Sequence, residues 1–177
     1  EAIEVEGTFD DCQNLVKQAF KDEVLQKKLT LSSANSINVA RLLPQMLYYF
    51  FAYKQLKSKL KNKRFVVSVP SGNLGNITAG LVAQKIGLPI HHFVSALNAN
   101  DTFLDYLKTG KYQKKQSVQT FANAMDVGNP SNFERIEYMF GNNVEKIKEN
   151  ISAYSLSNDN VLEEIKKCFQ ENKYLLD

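Results

Sequence analysis

Ser71-Gly72-Asn73-Leu74-Gly75-Asn76 has the residue types and spacing of a segment that can hold a phosphate. Two glycines let backbone come close to a ligand, and the unpaired N–H groups that open the next helix point at it. The helix dipole adds roughly half a positive charge at the same place. Glycines at this spacing also occur in ordinary turns, so the segment alone leaves both readings open. A second polar stretch, Leu31–Asn38, precedes a long helical pattern and supplies Asn35 and Ser36, with Arg41 in the first turns. Hydroxyls, amides and free N–H groups at a helix start repeat the logic of the first segment, with simple capping as the plainer reading.

The elements that must position these groups follow from hydrophobic period. Glu1–Glu6 alternates like a strand, Thr8 with Asp11 marks a helix start, and Cys12, Leu15, Val16, Ala19 and Phe20 form one apolar stripe. Val39 to Leu56 holds helical spacing, with Pro44 predicting a kink or a helix start nearby. Phe65–Val69 reads as a strand and Ile77–Ile86 as a helix closed by Gly87. Ile90–Leu97 reads as another strand, with His91 and His92 facing opposite sides and so unable to share a metal. Asn98–Asp101 follows as a polar loop, then a helix over Thr102–Lys108 that Gly110 ends. Ser131 with Glu134 reads as a capping box, and helices are predicted over Val144–Tyr154 and Val161–Lys173. Strands alternating with helices predict an α/β fold, part of a doubly wound parallel sheet with about three strands and a helical C-terminal part. Ligands in such sheets bind beyond the carboxyl ends of the strands, where these polar loops lie.

Composition narrows the class. Lys and Arg number 22 against 19 Asp and Glu, a net charge of +3, so nothing calls for nucleic acid. The basic run from Lys54 to Arg64 reads as a solvated helix end. Cys12 and Cys168 are too few for a disulfide framework or a zinc site, with Cys12 predicted as a buried thiol. No apolar run reaches the roughly 20 residues of a membrane span, and no signal peptide is seen, which points to the cytoplasm.

Val5–Gln13, Ser33–Asn38 with Arg41, Val67–Asn76, Asn98–Asp101 and Asn123–Asn132 together resemble threonine synthase, in that family's order and spacing. The resemblance is to the longer bacterial and fungal type, a pyridoxal-phosphate enzyme of the tryptophan-synthase-β-like fold. It implies a lyase that converts O-phosphohomoserine and water to threonine and phosphate. It implies further that Gly72, Asn73, Leu74, Gly75 and Asn76 wrap the phosphate of pyridoxal 5'-phosphate, and that Asn35, Ser36, Arg41 and Asn76 hold the substrate phosphate. The Asn123–Asn132 turn receives no role beyond shaping a wall.

No segment resembles the family's His-Gly-Pro-Thr-Leu-Ala-Phe-Lys-Asp stretch, which carries the Schiff-base lysine. No catalytic residue and no metal ligand are therefore assigned. Residues 1–126 are expected to form a partial cofactor-binding α/β domain and 127–177 a helical segment of the same catalytic chain, truncated at both ends. Such a piece is expected to be inactive alone, to bind phosphate, sulfate or nothing, and to self-associate through exposed sheet edges. Two alternatives stand beside it: another fold-type II enzyme (a dehydratase or β-replacement relative), or a free-standing phosphate-binding α/β module.

Overall fold

A computed structural model describes residues 2–61 and 63–176. Its sheet has three parallel strands, β1 (Phe65–Pro70), β2 (Ile90–Leu97) and β3 (Ile151–Ser155), in the order β1-β2-β3. Helices α1 (Phe9–Lys21), α2 (Glu23–Lys28) and α3 (Leu42–Leu60) precede β1, and α4 (Gly75–Lys85) crosses from β1 to β2. Between β2 and β3 come α5 (Thr102–Thr109), α6 (Phe133–Met139) and α7 (Val144–Asn150), and α8 (Asn158–Asn172) follows β3. Two 3₁₀ turns, Val39–Arg41 and Asn123–Met125, introduce α3 and shape the loop before α6.

Local signals set most of these boundaries. Thr8 caps α1 in a full capping box, its N–H donating to Asp11 Oδ2 at 2.7 Å while its Oγ1 accepts from the Asp11 N–H at 3.3 Å. Those donors, the Thr8 N–H first, hold the Asp11 carboxyl below its ordinary value. Pro44 sits in the first turn of α3, where a missing N–H costs nothing. Gly87 and Gly110 take positive φ just past α4 and α5.

The core lies around β2, where Phe93 is fully buried, with Ile151 of β3 and Ile77 and Leu81 of α4 equally enclosed. Helix α4 reaches it through Gly80, where an added Cβ would lie 2.6 Å from the Phe93 ring and 2.7 Å from the Tyr49 ring. Gly80→Ala is expected to destabilise the protein by about 1–3 kcal/mol despite alanine's ~1 kcal/mol helix preference. A lower urea midpoint at constant slope would show it.

Several expectations need correction. Ala2–Val5 forms no strand and lies exposed, because no neighbouring strand offers it a ladder; Glu1 lies outside the described residues. The third strand is β3, within the stretch predicted as the helix Val144–Tyr154. Ile151 and Ala153 point inward while Ser152 and Tyr154 do not, a two-residue period too short to stand out beside α7. Cys12 is only half-buried, and the buried residue of α1 is Gln13. Leu15 on α1 is 51% exposed, so the predicted stripe there faces outward, and Phe169 on α8 is equally exposed. Helix α8 starts at Asn158, capped by Ser157, three residues before the predicted Val161. His92 is satisfied by the Glu149 carbonyl and Ser152 Oγ, which ties β2 to α7 and β3. Among the described residues no helix is long and apolar enough to cross a membrane.

Candidate anion-binding site

β1 delivers the Ser71–Asn76 loop to the carboxyl edge of the sheet. Ser71 is buried and fixes the loop, its N–H donating to the Ala96 carbonyl and its Oγ to the Val69 carbonyl, both at 2.8 Å. Gly72 passes so close to the Asn123–Met125 turn that a Cβ would lie 2.8 Å from Met125 Cα. Leu74 adopts the left-handed region, φ 57°, and is held there by burial of its side chain. Helix α4 then begins at Gly75 with no side-chain cap. Its first-turn amides have no intrahelical acceptor, so the helix presents uncommitted donors and the positive end of its dipole.

The second segment differs from expectation. Asn38 caps the 3₁₀ turn, its Oδ1 accepting from the Ala40 N–H at 3.0 Å, and the Arg41 N–H donates to the Asn38 carbonyl. Backbone donors at the start of α3 are thereby spent, and what this segment presents is side chains. The Arg41 guanidinium donates to the Ala34 carbonyl and keeps further N–H groups for a ligand. Ser36 Oγ donates to Asn35 Oδ1 at 3.1 Å.

Both segments line one cavity of about 570 Å³, which contains Asn35, Ser36, Arg41 and all of Gly72–Asn76. Asn73 joins them: its Nδ2 donates to Ser36 Oγ at 2.6 Å and its Oδ1 accepts from the Ser131 N–H at 2.6 Å. That side chain is engaged within the protein, so only the backbone of Asn73 is left to face a ligand. Asn76 is arranged the other way. The buried Tyr49 hydroxyl donates to Asn76 Oδ1 at 2.6 Å, which leaves the amide nitrogen uncommitted. Burial pushes the Tyr49 phenol up, so it remains a donor.

The wall behind the cavity joins the predicted Asn123–Asn132 turn to Arg135, which the sequence did not single out. Arg135 donates to the carbonyls of Ser36 and Ile37 and to Asn132 Oδ1, and Asn132 Nδ2 donates to the Asn73 carbonyl at 2.9 Å. This closes a ring from the Ser36 segment through α6 to the glycine loop. The predicted Ser131–Glu134 capping box does not form: α6 starts after Asn132 without a side-chain cap, and Ser131 Oγ donates to Asn73 instead. Nor do the Asn98–Asp101 side chains line the cavity. Asn98 and Asn100 donate to Asp126 Oδ1 at 2.7 and 3.1 Å, and Asp126 also accepts from Thr120. That network fixes the turn that places Ala124 and Met125 against the cavity. The place of Asn123–Asn132 in the family resemblance was the one sequence signal for this wall; Arg135, Tyr49 and Gln45 gave none.

An oxyanion suits this donor set: uncapped helix amides, two side-chain amides, a guanidinium and, once its proton turns from Asn35 Oδ1, the Ser36 hydroxyl. No lysine is among the lining residues.

No protein-family model matches the chain. Among curated proteins it is 48% identical over 173 residues to the threonine synthase of Haemophilus influenzae and 44% identical over 174 residues to that of Escherichia coli. Each alignment takes in 98% of this chain and 40% of the relative. The crystal structure of threonine synthase from Escherichia coli matches all of the chain with a TM-score of 0.91 at 42% identity, over 41% of that structure. A pyridoxal-phosphate-bound threonine synthase from Brucella melitensis matches 97% of it at 0.82 and 35% identity, over 42% of that structure. A maize serine racemase, at 15% identity and a TM-score of 0.53, shares the fold. The chain spans 27–40% of the length of the curated relatives it matches. Over that span, in sequence and in fold, it belongs to the threonine synthase family.

Proposed function

We propose that this chain carries the phosphate-binding part of a threonine synthase active site. The Gly72–Asn76 loop takes the phosphate of pyridoxal 5'-phosphate on the amides that open α4, and Asn35, Ser36, Arg41 and the Asn76 amide take the phosphate of O-phosphohomoserine. The observation that carries this reading is the meeting of both segments in one cavity of about 570 Å³, within the ordinary range for a small-molecule site. Bound pyridoxal phosphate supplies an electron sink for carbanion chemistry in the parent lyase. Within this chain, Arg41 offers planar donors to a leaving phosphate, and the loop amides orient the cofactor by its phosphate. The lining residues include no amine to bond the cofactor covalently, so that group comes from elsewhere in the whole enzyme, and the chain alone is inactive.

Calorimetric titration of the chain with inorganic phosphate tests this. Saturable binding that Arg41→Ala weakens at least about tenfold is expected, the worth of a charge-assisted contact. Absence of binding, or indifference to Arg41, would refute the reading. Pyridoxal phosphate followed by borohydride should leave no stoichiometric lysine adduct by mass; one adduct at a single lysine would contradict the covalent part. The edges β1 and β3 give a second copy a place to pair, which sedimentation would reveal. The reaction is assigned to the cytoplasm.

A further inference from the structure

Part of the cavity wall has nothing to offer an anion. Phe9, the first residue of α1, and Met125, in the Asn123–Met125 turn, line the cavity together with the glycine loop. Phe9 is 39% exposed and Met125 half-buried, so each keeps surface free for a ligand. Both stand on fixed backbone. Thr8 caps α1 just before Phe9, and Asp10 just after it accepts from the Gly128 N–H at 3.1 Å, which ties this end of α1 to the chain that follows Met125. The Met125 N–H donates to the Ala122 carbonyl and its carbonyl accepts from the Val127 N–H, both at 2.9 Å. Its Cα lies against Gly72, at the glycine-loop end of the cavity. Phosphoryl oxygens would lose water against an aromatic face and a thioether and gain no hydrogen bond. A ring carried by the same phosphate gains from both, through burial, ring contact and sulfur contact.

We propose that Phe9 and Met125 are specificity-determining contacts of this cavity, which take the ring of an aromatic phosphate monoester while the loop amides hold its phosphate. The inference rests on the phosphate reading and adds the residues that read what the phosphate carries. An aliphatic monoester meets the same amides but leaves the Phe9 face and the Met125 sulfur in water. The turn that backs Gly72 therefore serves both ends of one ligand.

Paired calorimetric titrations of the 177-residue chain with benzyl phosphate and methyl phosphate at pH 8 test this. Both esters are dianions there and offer the same phosphoryl group, and only the first brings a ring. The unchanged chain is expected to prefer benzyl phosphate at least about tenfold, the worth of a ring set against an aromatic face and a thioether. Phe9→Ala and Met125→Ala should each cut that ratio at least about threefold, and Phe9→Tyr, which keeps the aromatic face, should retain it. The ratio of the two affinities is the readout, so a loss of stability that lowers both together does not imitate the effect. Equal affinity of the unchanged chain for both esters, a ratio that survives either alanine variant, or a ratio that Phe9→Tyr loses overturns this inference and leaves the phosphate reading standing. Failure to bind either ester overturns both.

Discussion

Gly72→Ala is expected to weaken anion binding by this chain at least about tenfold. An added Cβ would lie 2.8 Å from Met125 Cα and 3.0 Å from the Met125 carbonyl oxygen. Those are backbone atoms of a turn held by Asp126, Thr120 and Asn98, not the yielding end of a flexible side chain. Either the glycine loop or the Asn123–Met125 turn must move by several tenths of an ångström. Because Ser71 pins the loop's other end, the displacement falls on Gly72–Asn76 itself. Overpacking of this kind costs about 1–3 kcal/mol of stability, and misplaced amides lose an anion faster than they lose the fold. Calorimetry should show a phosphate affinity lowered by at least about tenfold, which corresponds to about 1.4 kcal/mol, in a chain that still melts cooperatively. Wild-type affinity in Gly72→Ala would show that the contact with Met125 is soft.

Asn73→Ala should do comparable damage by another route. The substitution removes a donor to Ser36 Oγ and the acceptor for both the Ser131 N–H and its hydroxyl. Leaving such partly buried groups unpaired costs about 1–3 kcal/mol. The larger consequence is mechanical, since nothing else named here ties the Ser36 side chain to the glycine loop. Asn73→Asp separates the two functions. Its carboxylate still accepts from Ser131 but cannot donate to Ser36, and it sets a negative charge beside a cavity for anions. Denaturant unfolding should therefore show Asn73→Ala as the less stable variant, and phosphate titration should show Asn73→Asp as the weaker binder. Reversal of that order would mean that Asn73 acts on stability alone.

The parts of this protein legible in its sequence are those written in local chemistry. Thr8 and Asp11, Pro44, Gly87 and Gly110 mark helix ends because capping and positive φ depend on a few neighbours. The glycine loop and the Asn35–Ser36–Arg41 group were readable for the same reason, and the fold brings them together. Residues that reach across the chain stayed hidden. Ser131 looked like a capping residue because the sequence shows Glu134 three positions on and does not show Asn73. Arg135 looked like any helix arginine until its acceptors, the Ser36 and Ile37 carbonyls, were seen. β3 was missed because five residues carry little periodicity, and Glu1–Glu6 was overread because alternation says nothing about whether a partner strand exists. The outward-facing Leu15 shows the same limit: a stripe predicts a face, not what meets it.

The ring that encloses the cavity also has a kinetic meaning. Its links join residues 37, 58, 59 and 99 positions apart. Each closes a long span of chain before any contact rewards it, and closure entropy of that kind slows assembly. The β1–α4–β2 unit rests on nearer neighbours, with Phe65 paired to Ile90, and can consolidate first. A refolding chain should thus regain its secondary structure ahead of its grip on an anion, and hydrogen exchange should find the ring opening at lower free energy than β2.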